Sequence, residues 1–247
     1  MEETGGTGEA DDRRRPRGHL VAQGRDADIF DAGNGRVLRR AKDGRSIAAE
    51  AEVMRYVAAQ GYPSPEIFDV SADGRDITME RVGGPSMLAL LQARPWQLGR
   101  LAGLLADLHT GLHDITAPLT MRTAPAGPPG DRVLHLDLHP LNVIMSPRGP
   151  VVIDWTNARR GDPLFDVALT WILLGAAQPP ESRLARAVVE PFRGVFLRSF
   201  LRHFDRATLS ERLGAAVEWK ASDAHMSAVE VEAMRTIARR FSASPLC

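Results

Sequence analysis

The sequence changes character at Gly83-Gly84-Pro85. Before these residues it contains five short strand-like runs, HLVAQ, DIFDA, RVLRR, PSPEIFDVS and DITMERV, and one helical segment, SIAAEAEVMRYVAAQG. The Asn34-Gly35 pair between the second and third runs is typical of a tight β-hairpin turn. After the glycines, apolar residues recur at helical spacing, beginning with Leu98, Leu101, Leu105 and Leu108. This order predicts an α+β fold with a small β-rich part followed by a mainly helical part.

The same pattern divides the 247 residues into three predicted segments. Residues 1–18 are polar and rich in glycine, which is typical of a disordered tail. Residues 19–82 form the predicted β-rich part, and residues 83–247 form the predicted helical part. The two glycines and the proline that separate these parts have the composition of a hinge.

Composition excludes several classes of partner. Lys and Arg together number 31, as do Asp and Glu, so net charge gives no general attraction to nucleic acid or to a membrane surface. The longest apolar stretch, residues 167–177, is too short to cross a bilayer, and the N-terminus lacks the apolar core of a signal peptide. Cys247 is the only cysteine, which rules out an internal disulfide. We therefore expect a cytoplasmic protein with no nucleic-acid, membrane or obligatory protein partner.

The residues most informative about chemistry lie around two short apolar runs. Asp137 is followed five residues later by Asn142, and a second carboxylate, Asp154, ends the run VVID. Phosphoryl transfer requires a carboxylate that orients or deprotonates the attacking hydroxyl, and hard oxygen ligands that hold Mg²⁺. Asp137 is the candidate base, and Asn142 and Asp154 are the candidate metal ligands. We expect VLHLDLHP and PVVIDW to pair as a hairpin that brings Asn142 and Asp154 together.

The spacing of these residues resembles that of the aminoglycoside phosphotransferase and choline kinase-like family, in which the loop typically reads HGDLHPGN and the metal segment reads V-I-D-W. The resemblance extends from about Gly24 to Asp166. It implies a two-lobed protein kinase-like fold that holds ATP and Mg²⁺ between the lobes, with nucleotide binding at residues 19–82 and catalysis and acceptor binding at residues 83–247. Asp166 matches the family aspartate that hydrogen-bonds back to the catalytic loop.

Two leucines, Leu136 and Leu141, stand where the family usually has glycine. We expect them to alter the shape of the loop and to restrict the acceptor pocket. The alternative interpretation is a chance H-x-D sequence with buried polar residues in a β-hairpin, which the matching Asp154 disfavours. For His135 we predict a structural role. For His139 we predict that it stabilises the loop, with contact to a phosphate as the alternative. A zinc site formed by the two histidines is disfavoured, because the nearby carboxylates suit Mg²⁺ better.

The strand-rich part supplies weaker candidates for nucleotide binding. A kinase needs a cation on the third strand and a glutamate on the following helix that keeps it in place. Arg39 and Glu50 occupy these places, whereas Arg40 points to the opposite side of the strand. The family commonly has lysine where Arg39 stands, and arginine keeps the charge but presents a planar fork of donors. Taken alone, either residue fits a solvated surface position at least as well as a functional one. It is the downstream loop with Asp137 and Asn142 that favours the functional interpretation.

Gly24, Glu80 and Val82 are the remaining nucleotide-binding candidates. Gly24 lies between the first two strands in a loop with a single glycine, where backbone amides can approach a phosphate. Asp26 and Asp28 in the same loop would repel phosphate, so we predict that they face solvent. By resemblance, Glu80 and Val82 belong to the linker whose backbone hydrogen-bonds adenine.

Together these features predict an ATP-dependent phosphotransferase that acts on a hydroxyl of a small molecule, such as an aminoglycoside-like compound, an amino alcohol, a sugar or another metabolite. The segment after Asp154 lacks an activation loop ending in A-P-E, which disfavours a protein kinase. Residues 181–247 contain eight acidic against eleven basic residues, which does not favour a polycationic antibiotic.

The alternative is a pseudokinase-like nucleotide-binding scaffold with little or no transfer. The single-glycine loop, Arg39 and the two loop leucines suggest it. Intact Asp137, Asn142 and Asp154 disfavour it.

Overall fold

The computed structural model describes residues 18–24, 26–177, 183–223 and 226–242. The chain divides into two compact units: the first comprises Met1–Tyr56 and Pro65–Val82, and the second comprises Val57–Ser64 and Gly83–Cys247. Val57–Ser64, which the sequence-based division puts in the first part, therefore group with the second unit. The predicted tail, apart from Gly18, lies outside the described residues, as does Cys247.

The first unit is an antiparallel sheet with one helix. Its five strands follow the spatial order β1-β2-β3-β5-β4. Their bounds are β1 (Leu20–Gln23), β2 (Ala27–Gly33), β3 (Arg36–Ala41), β4 (Ile67–Val70) and β5 (Asp76–Glu80). Helix α1 (Ala48–Ala59) follows β3, and its last residues belong to the second unit.

Local turn chemistry sets the register of the β2–β3 hairpin. Asn34 and Gly35 have φ angles of 50° and 70°, left-handed values that Asn and Gly adopt more readily than other residues. From this turn the pairing continues until Ile29 lies opposite Arg39. The predicted hairpin is present, and it determines where Arg39 stands on β3.

The core of the first unit lies between the sheet and α1. The hydroxyl of Ser46 accepts a hydrogen bond from the Ala48 N–H at 3.3 Å, which caps the start of the helix. A buried apolar cluster joins strand residues to the helix: Ala41, Ile47, Ala51 and Ile77. Because this cluster fixes α1 against the sheet, it also fixes Glu50, which lies in the first turn of α1.

The second unit is mainly helical. Its helices are α2 (Met87–Ala93), α3 (Leu98–His113), α4 (Pro163–Ala176), α5 (Arg183–Leu201), α6 (Arg206–Ser210), α7 (Leu213–Ala221) and α8 (Ala228–Ser242). Two small antiparallel pairs lie between α3 and α4, namely β6 (Arg132–Leu134) with β9 (Arg159–Gly161), and β7 (Val143–Ser146) with β8 (Gly149–Val152). Short 3₁₀ turns span Pro95–Gln97 and Trp155–Asn157.

Helix α4 forms the centre of the second unit. Every side chain from Phe165 to Ile172 is buried, as expected for a helix that is mainly apolar on all sides. Helices α5, α7 and α8 pack around it. None of the described helices combines the length and apolar character needed to cross a membrane.

The predicted pairing of VLHLDLHP with PVVIDW is wrong. Strand β6 ends at Leu134 and pairs with β9, whereas the partner of β8 is β7, which begins at Val143. The physical reason is that the backbone N–H groups of His135 and Leu136 donate to the side chain of Asp166 instead of to a neighbouring strand. Residues 135–142 therefore form a loop between β6 and β7.

Candidate active site

Asp137 and Asn142, five residues apart in this loop, lie in direct contact. The amide nitrogen of Asn142 donates to the backbone oxygen of Asp137 at 2.9 Å and to its carboxylate Oδ2 at 3.3 Å. Asn142 is buried, and the Asp137 side chain is 12% exposed. Because the amide nitrogen faces Asp137, the amide oxygen of Asn142 points away from it. These two side chains, five residues apart in the sequence, therefore form one polar cluster.

The β7–β8 hairpin brings Asp154 to the same end of the unit. Val143 pairs with Val152, and the Ile153 N–H donates to the backbone oxygen of Asn142 at 3.0 Å. The next residue, Asp154, has a left-handed backbone with φ 65° and ψ 66°, and its Oδ1 accepts from the Thr156 hydroxyl at 3.0 Å. Asn142 and Asp154 therefore flank the open end of one hairpin, which is the arrangement that the sequence predicted for them.

The buried carboxylate of Asp166 holds the backbone of the loop. It accepts the N–H groups of His135 at 2.9 Å and Leu136 at 2.8 Å, and its Oδ2 lies 3.0 Å from His113 Nε2. Burial opposes ionisation, yet the hydrogen bond and charge of His113, together with the hydrogen bond from the His135 backbone, outweigh it and lower the pKa of Asp166. The hydrogen bonds between Asp166 and the loop, which the resemblance implied, are present, with the loop N–H groups as donors.

The backbone conformation of Leu136 is one that glycine adopts more readily than other residues. Its φ is 61°, a value that places strain on residues with a side chain. The side chain is fully buried, and the hydrogen bond to Asp166 holds the backbone in this conformation. Leu141, the second departure from the family pattern, is 54% exposed. The loop thus accommodates both leucines.

The two loop histidines take part in the framework of the loop. His135 is buried, its Nε2 lies 3.1 Å from the backbone oxygen of Ile153, and burial lowers the pKa of its ring. The Leu141 N–H donates to His139 Nδ1 at 3.3 Å, and His139 Nε2 lies 3.7 Å from Asp137 Oδ1. His139 therefore both closes the loop and faces the candidate base.

Asp137 is strongly biased toward its ionised form. Burial opposes the charge, but the hydrogen bond and charge of His139, together with the charge of Lys220, lower the pKa of Asp137 to about 2. Lys220 lies on α7 with Nζ 3.8 Å from Asp137 Oδ1. The carboxylate is thus available near neutral pH as a hydrogen-bond acceptor for a hydroxyl.

Lys220 is a site residue that sequence reasoning missed. A signal existed, because Leu213, Val217 and Lys220 recur at intervals of four and three residues and therefore share one face of a helix. Arginine carries almost all basic charge in this chain, and Lys42 and Lys220 are its only lysines. A lysine on an otherwise apolar helical face needs a buried partner, but the sequence does not say which carboxylate provides it.

In the first unit, Arg39 and Glu50 form the expected contact. Arg39 Nη2 lies 3.3 Å from Glu50 Oε2, and the two side chains are 12% and 6% exposed. The neighbouring Arg40 instead makes a two-pronged ion pair with Asp76, at 2.7 and 2.6 Å. Adjacent arginines on β3 thus have separate carboxylate partners, and one of them is sheltered from solvent.

The Gly24 loop is closed by a lysine. The Gly24 N–H donates to Ala27 at 2.9 Å, and Lys42 Nζ donates to the Gly24 carbonyl at 2.7 Å. Lys42 also lies 3.3 Å from Asp28 Oδ1. The prediction that Asp28 faces solvent is therefore wrong, because a lysine just beyond β3 draws its carboxylate into an ion pair. Arg25 lies outside the described residues.

Glu80 and Val82 stand at the end of the first unit. The Glu80 N–H donates to the Glu66 carbonyl at 2.8 Å, and its carboxylate accepts the Glu66 N–H at 3.2 Å. Strand β5 ends at Glu80, and Val82 lies two residues beyond it. The roles assigned to these two residues and to Gly24 stay predictions.

The chain matches one protein family, in residues 19–129 and 120–211, described as the phosphotransferase enzyme family. A comparison with curated proteins finds no match. Many solved structures have a similar fold. One is a choline/ethanolamine kinase family protein from Mesorhizobium loti, with 16% sequence identity, a TM-score of 0.60, and 93% of this chain and 90% of that chain covered.

Two further structures contain bound ligands. The streptomycin-ATP-APH(2")-IIa ternary complex is 15% identical, with a TM-score of 0.60 and 88% and 89% of the two chains covered. A thermostable mutant of aminoglycoside phosphotransferase APH(4)-Ia, in ternary complex with ADP and hygromycin B, is 17% identical, with a TM-score of 0.56 and 92% and 94% covered. At these identities the similarity concerns the fold, and it confirms the predicted α+β, kinase-like fold class.

Proposed function

Because the chain belongs to the phosphotransferase enzyme family, as its loop motif predicted, we propose that it transfers the γ-phosphoryl group of ATP to a hydroxyl of a small molecule. The observation that carries this proposal is the cluster of Asp137 and Asn142 beside the hairpin end that bears Asp154. Phosphoryl transfer depends mainly on positioning and charge stabilisation. Asp137 would position the attacking hydroxyl, and Asn142 and Asp154 would hold the Mg²⁺ that stabilises the phosphate charge.

Asp137 is the proposed base. Since its pKa is lowered to about 2, it is ionised near neutral pH and accepts a hydrogen bond from the attacking hydroxyl. A carboxylate of such low basicity takes the proton late, when the oxygen has already begun to bond to phosphorus. Its main contribution before that point is to orient the hydroxyl in line with the leaving group.

Asn142 and Asp154 are the proposed magnesium ligands. Their donor set fits the ion, because an amide oxygen and a carboxylate are hard ligands. The Asn142 amide nitrogen is held by Asp137, which leaves the amide oxygen as the ligand atom. When bound, Mg²⁺ would neutralise negative charge on the phosphate oxygens.

Arg39 is proposed to bind the nucleotide phosphates, with Glu50 as the residue that orients it. The support is their sheltered ion pair at 3.3 Å. We propose that Gly24 contributes its backbone to phosphate binding and that Glu80 and Val82 contribute theirs to binding of adenine. We also propose a cytoplasmic location, as composition suggested.

The acceptor is proposed to be a small hydroxyl compound. Structural neighbours contain streptomycin or hygromycin B, and another is a choline/ethanolamine kinase family protein. These relatives make aminoglycosides and amino alcohols the first compounds to assay, with sugars next.

The experiment is a screen for acceptor-stimulated ADP release. The purified chain is incubated with Mg²⁺, ATP and a panel of aminoglycosides, amino alcohols, sugars and nucleosides, and phosphorylated products are identified by mass spectrometry. We expect at least one acceptor to stimulate ADP release. Asp137→Asn should reduce transfer by about 10²–10⁴-fold while leaving Mg²⁺-dependent ATP binding intact, whereas Asp154→Ala should weaken that binding as well.

The same screen tests the pseudokinase-like alternative. A chain that binds Mg·ATP but consumes none with any acceptor would support a scaffold, and the enzyme proposal would then be wrong. Equal turnover by wild type and Asp137→Asn would also contradict the proposal, because the carboxylate would then have no part in the reaction.

A further inference from the structure

Lys220 is a buried lysine on a helix that the proposed function does not use. It is 4% exposed and lies on the same face of α7 as buried Leu213, Ala216 and Val217. A buried ammonium group is unfavourable unless carboxylates or other acceptors surround it. Its position therefore depends on the groups that it contacts.

Two carboxylates face the Lys220 ammonium. Its Nζ lies 3.3 Å from Asp223 Oδ2 and 3.8 Å from Asp137 Oδ1. Asp223 is three residues from Lys220, so this contact is local to the end of α7 and does not fix the helix against another element. Asp137 belongs to the loop between β6 and β7, and its contact with Lys220 joins two distant parts of the second unit.

Helix α7 is fixed against the same segment that fixes the loop. At its start, Arg212 Nε donates to Asp162 Oδ2 at 2.7 Å, and near its end the ring of Trp219 packs edge-on against Phe165 at 6.2 Å. The next residue in that segment, Asp166, accepts the N–H groups of the loop. Lys220 and Asp137 are therefore both held by residues 162–166, and their contact is not a chance meeting of two mobile groups.

We propose that Lys220 is a positioning residue for phosphoryl transfer: together with Asn142, it sets the orientation of the Asp137 carboxylate. The proposal rests on the proposed function. Asn142 contacts Oδ2 of Asp137, whereas Lys220 lies beside Oδ1. His139 Nε2, at 3.7 Å, also faces Oδ1. With the Lys220 cation beside one oxygen and the Asn142 amide beside the other, the plane of the Asp137 carboxylate is fixed in the orientation that keeps both contacts.

The test compares Lys220→Met with Lys220→Arg. Methionine keeps an unbranched apolar stem but removes the charge, whereas arginine keeps the charge. We expect Lys220→Met to lower kcat by about 10–100-fold, since small misplacements of a reacting group have effects of this size. KM for ATP should stay within about twofold, because Lys220 does not contact the proposed nucleotide residues. Lys220→Arg should recover at least about tenfold of the lost kcat by the same reasoning.

Controls separate this proposal from a role in stability and from the proposed function itself. Melting temperature is measured for each variant, and Arg235→Met, which removes a cation 56% exposed on α8, should match wild type. If Lys220→Met does not fold, Lys220→Gln replaces it with the same expected result. If wild type transfers phosphate but folded Lys220→Met has the same kcat, or is no less active than Lys220→Arg, the positioning proposal is wrong. If wild type transfers no phosphate but binds Mg·ATP, the proposed function is wrong, and the positioning proposal falls with it.

Discussion

The two candidate sites are built in different ways. In the first unit, Arg39 and Glu50 form one ion pair between a strand and a helix of ordinary geometry. In the second unit, the loop and hairpin depend on left-handed backbone at Leu136 and Asp154, and on a buried carboxylate, Asp166, that accepts the N–H groups of the loop.

The two sites therefore differ in which interactions their geometry depends on. A site made from two side chains on regular elements can lose a side chain and keep its backbone. A site made from irregular backbone needs every buried hydrogen bond, because an unsatisfied buried polar group is unfavourable. Substitutions should therefore change binding in the first unit and stability in the second.

The largest effect is expected at Asp166. Asp166→Asn removes the charge that His113 contacts, and it turns an amide nitrogen toward N–H groups that need an acceptor. Loss of one partner from such a buried network should lower the free energy of unfolding by about 3–5 kcal/mol, measured by urea denaturation. The control is Asp205→Asn at the exposed start of α6, where asparagine caps as well as aspartate and the change should be close to zero. A loss below 1 kcal/mol at Asp166 would show that other contacts hold the loop.

A smaller loss of stability is expected at Gly84. Its φ is 134°, and a Cβ at this position would lie 2.3 Å from the Met145 carbonyl oxygen on β7. Gly84→Ala should therefore lower the free energy of unfolding by about 1–3 kcal/mol. Gly83 is the matched control, because a Cβ there meets nothing within 4 Å and alanine should change stability by less than about 0.5 kcal/mol. Equal effects at both glycines would mean that β7 adjusts to the added methyl group.

The first unit should respond mainly in binding, with a smaller loss of stability because the buried Glu50 carboxylate loses a cationic partner. Arg39→Met removes the sheltered cation, and we expect KM for ATP to rise about tenfold, or about 1.4 kcal/mol, with a smaller change in kcat. Arg40→Met is the control, since its partner Asp76 lies elsewhere and its side chain is 29% exposed. Steady-state kinetics with varied ATP measures both. If Arg40→Met raises KM for ATP as much as Arg39→Met does, the ion pair with Glu50 does not make Arg39 specifically important for ATP binding.

The smallest predicted effect is a dependence of stability on pH, and it arises in the second unit. His109 is fully buried, and burial lowers its pKa from 6.5 to about 3. The unfolded chain therefore binds a proton below pH 6.5 that the folded chain does not, so this contribution to stability is complete above pH 6.5 and is lost as pH falls. Between pH 7 and 5.5 the loss should be about 1 kcal/mol.

Replacement of His109 by glutamine should remove this part of the pH dependence in urea denaturation at the two pH values. The control is His203→Gln, at an exposed position, which shows how much of the change any histidine-to-glutamine substitution causes. Among the described residues of the first unit the only histidine is His19, whose side chain is 74% exposed. The first unit therefore has no buried histidine there to give the same effect. An unchanged pH dependence in His109→Gln would show that His109 is protonated equally in the folded and unfolded chains.

Local sequence determined much of the first unit. The Asn34-Gly35 turn, the Ser46 cap and the alternation along β3 each depend on neighbours within a few residues, so hairpin, helix and the position of Arg39 could be predicted. The contact between Asp28 and Lys42 could not, because it joins a side chain on β2 to a residue just beyond β3 and depends on how the two strands pair.

For the second unit, the spacing of Asp137, Asn142 and Asp154 predicted which residues carry the candidate chemistry. It did not predict that the loop leaves the strand at Leu134, since that depends on hydrogen bonds to Asp166, some thirty residues later in the chain. Lys220 was missed for the same reason.

The sequence by itself therefore determined the identity of the loop, through the spacing of its polar residues and its resemblance to a known family. It also determined the hairpin turn and the α+β class, because turn preferences and side-chain periodicity act over short distances. Only the tertiary structure decided which carboxylate Lys220 meets and which groups hold the loop. Those contacts arise when helices α4 and α7 pack together, and packing depends on the whole core of the unit, not on any short stretch of sequence.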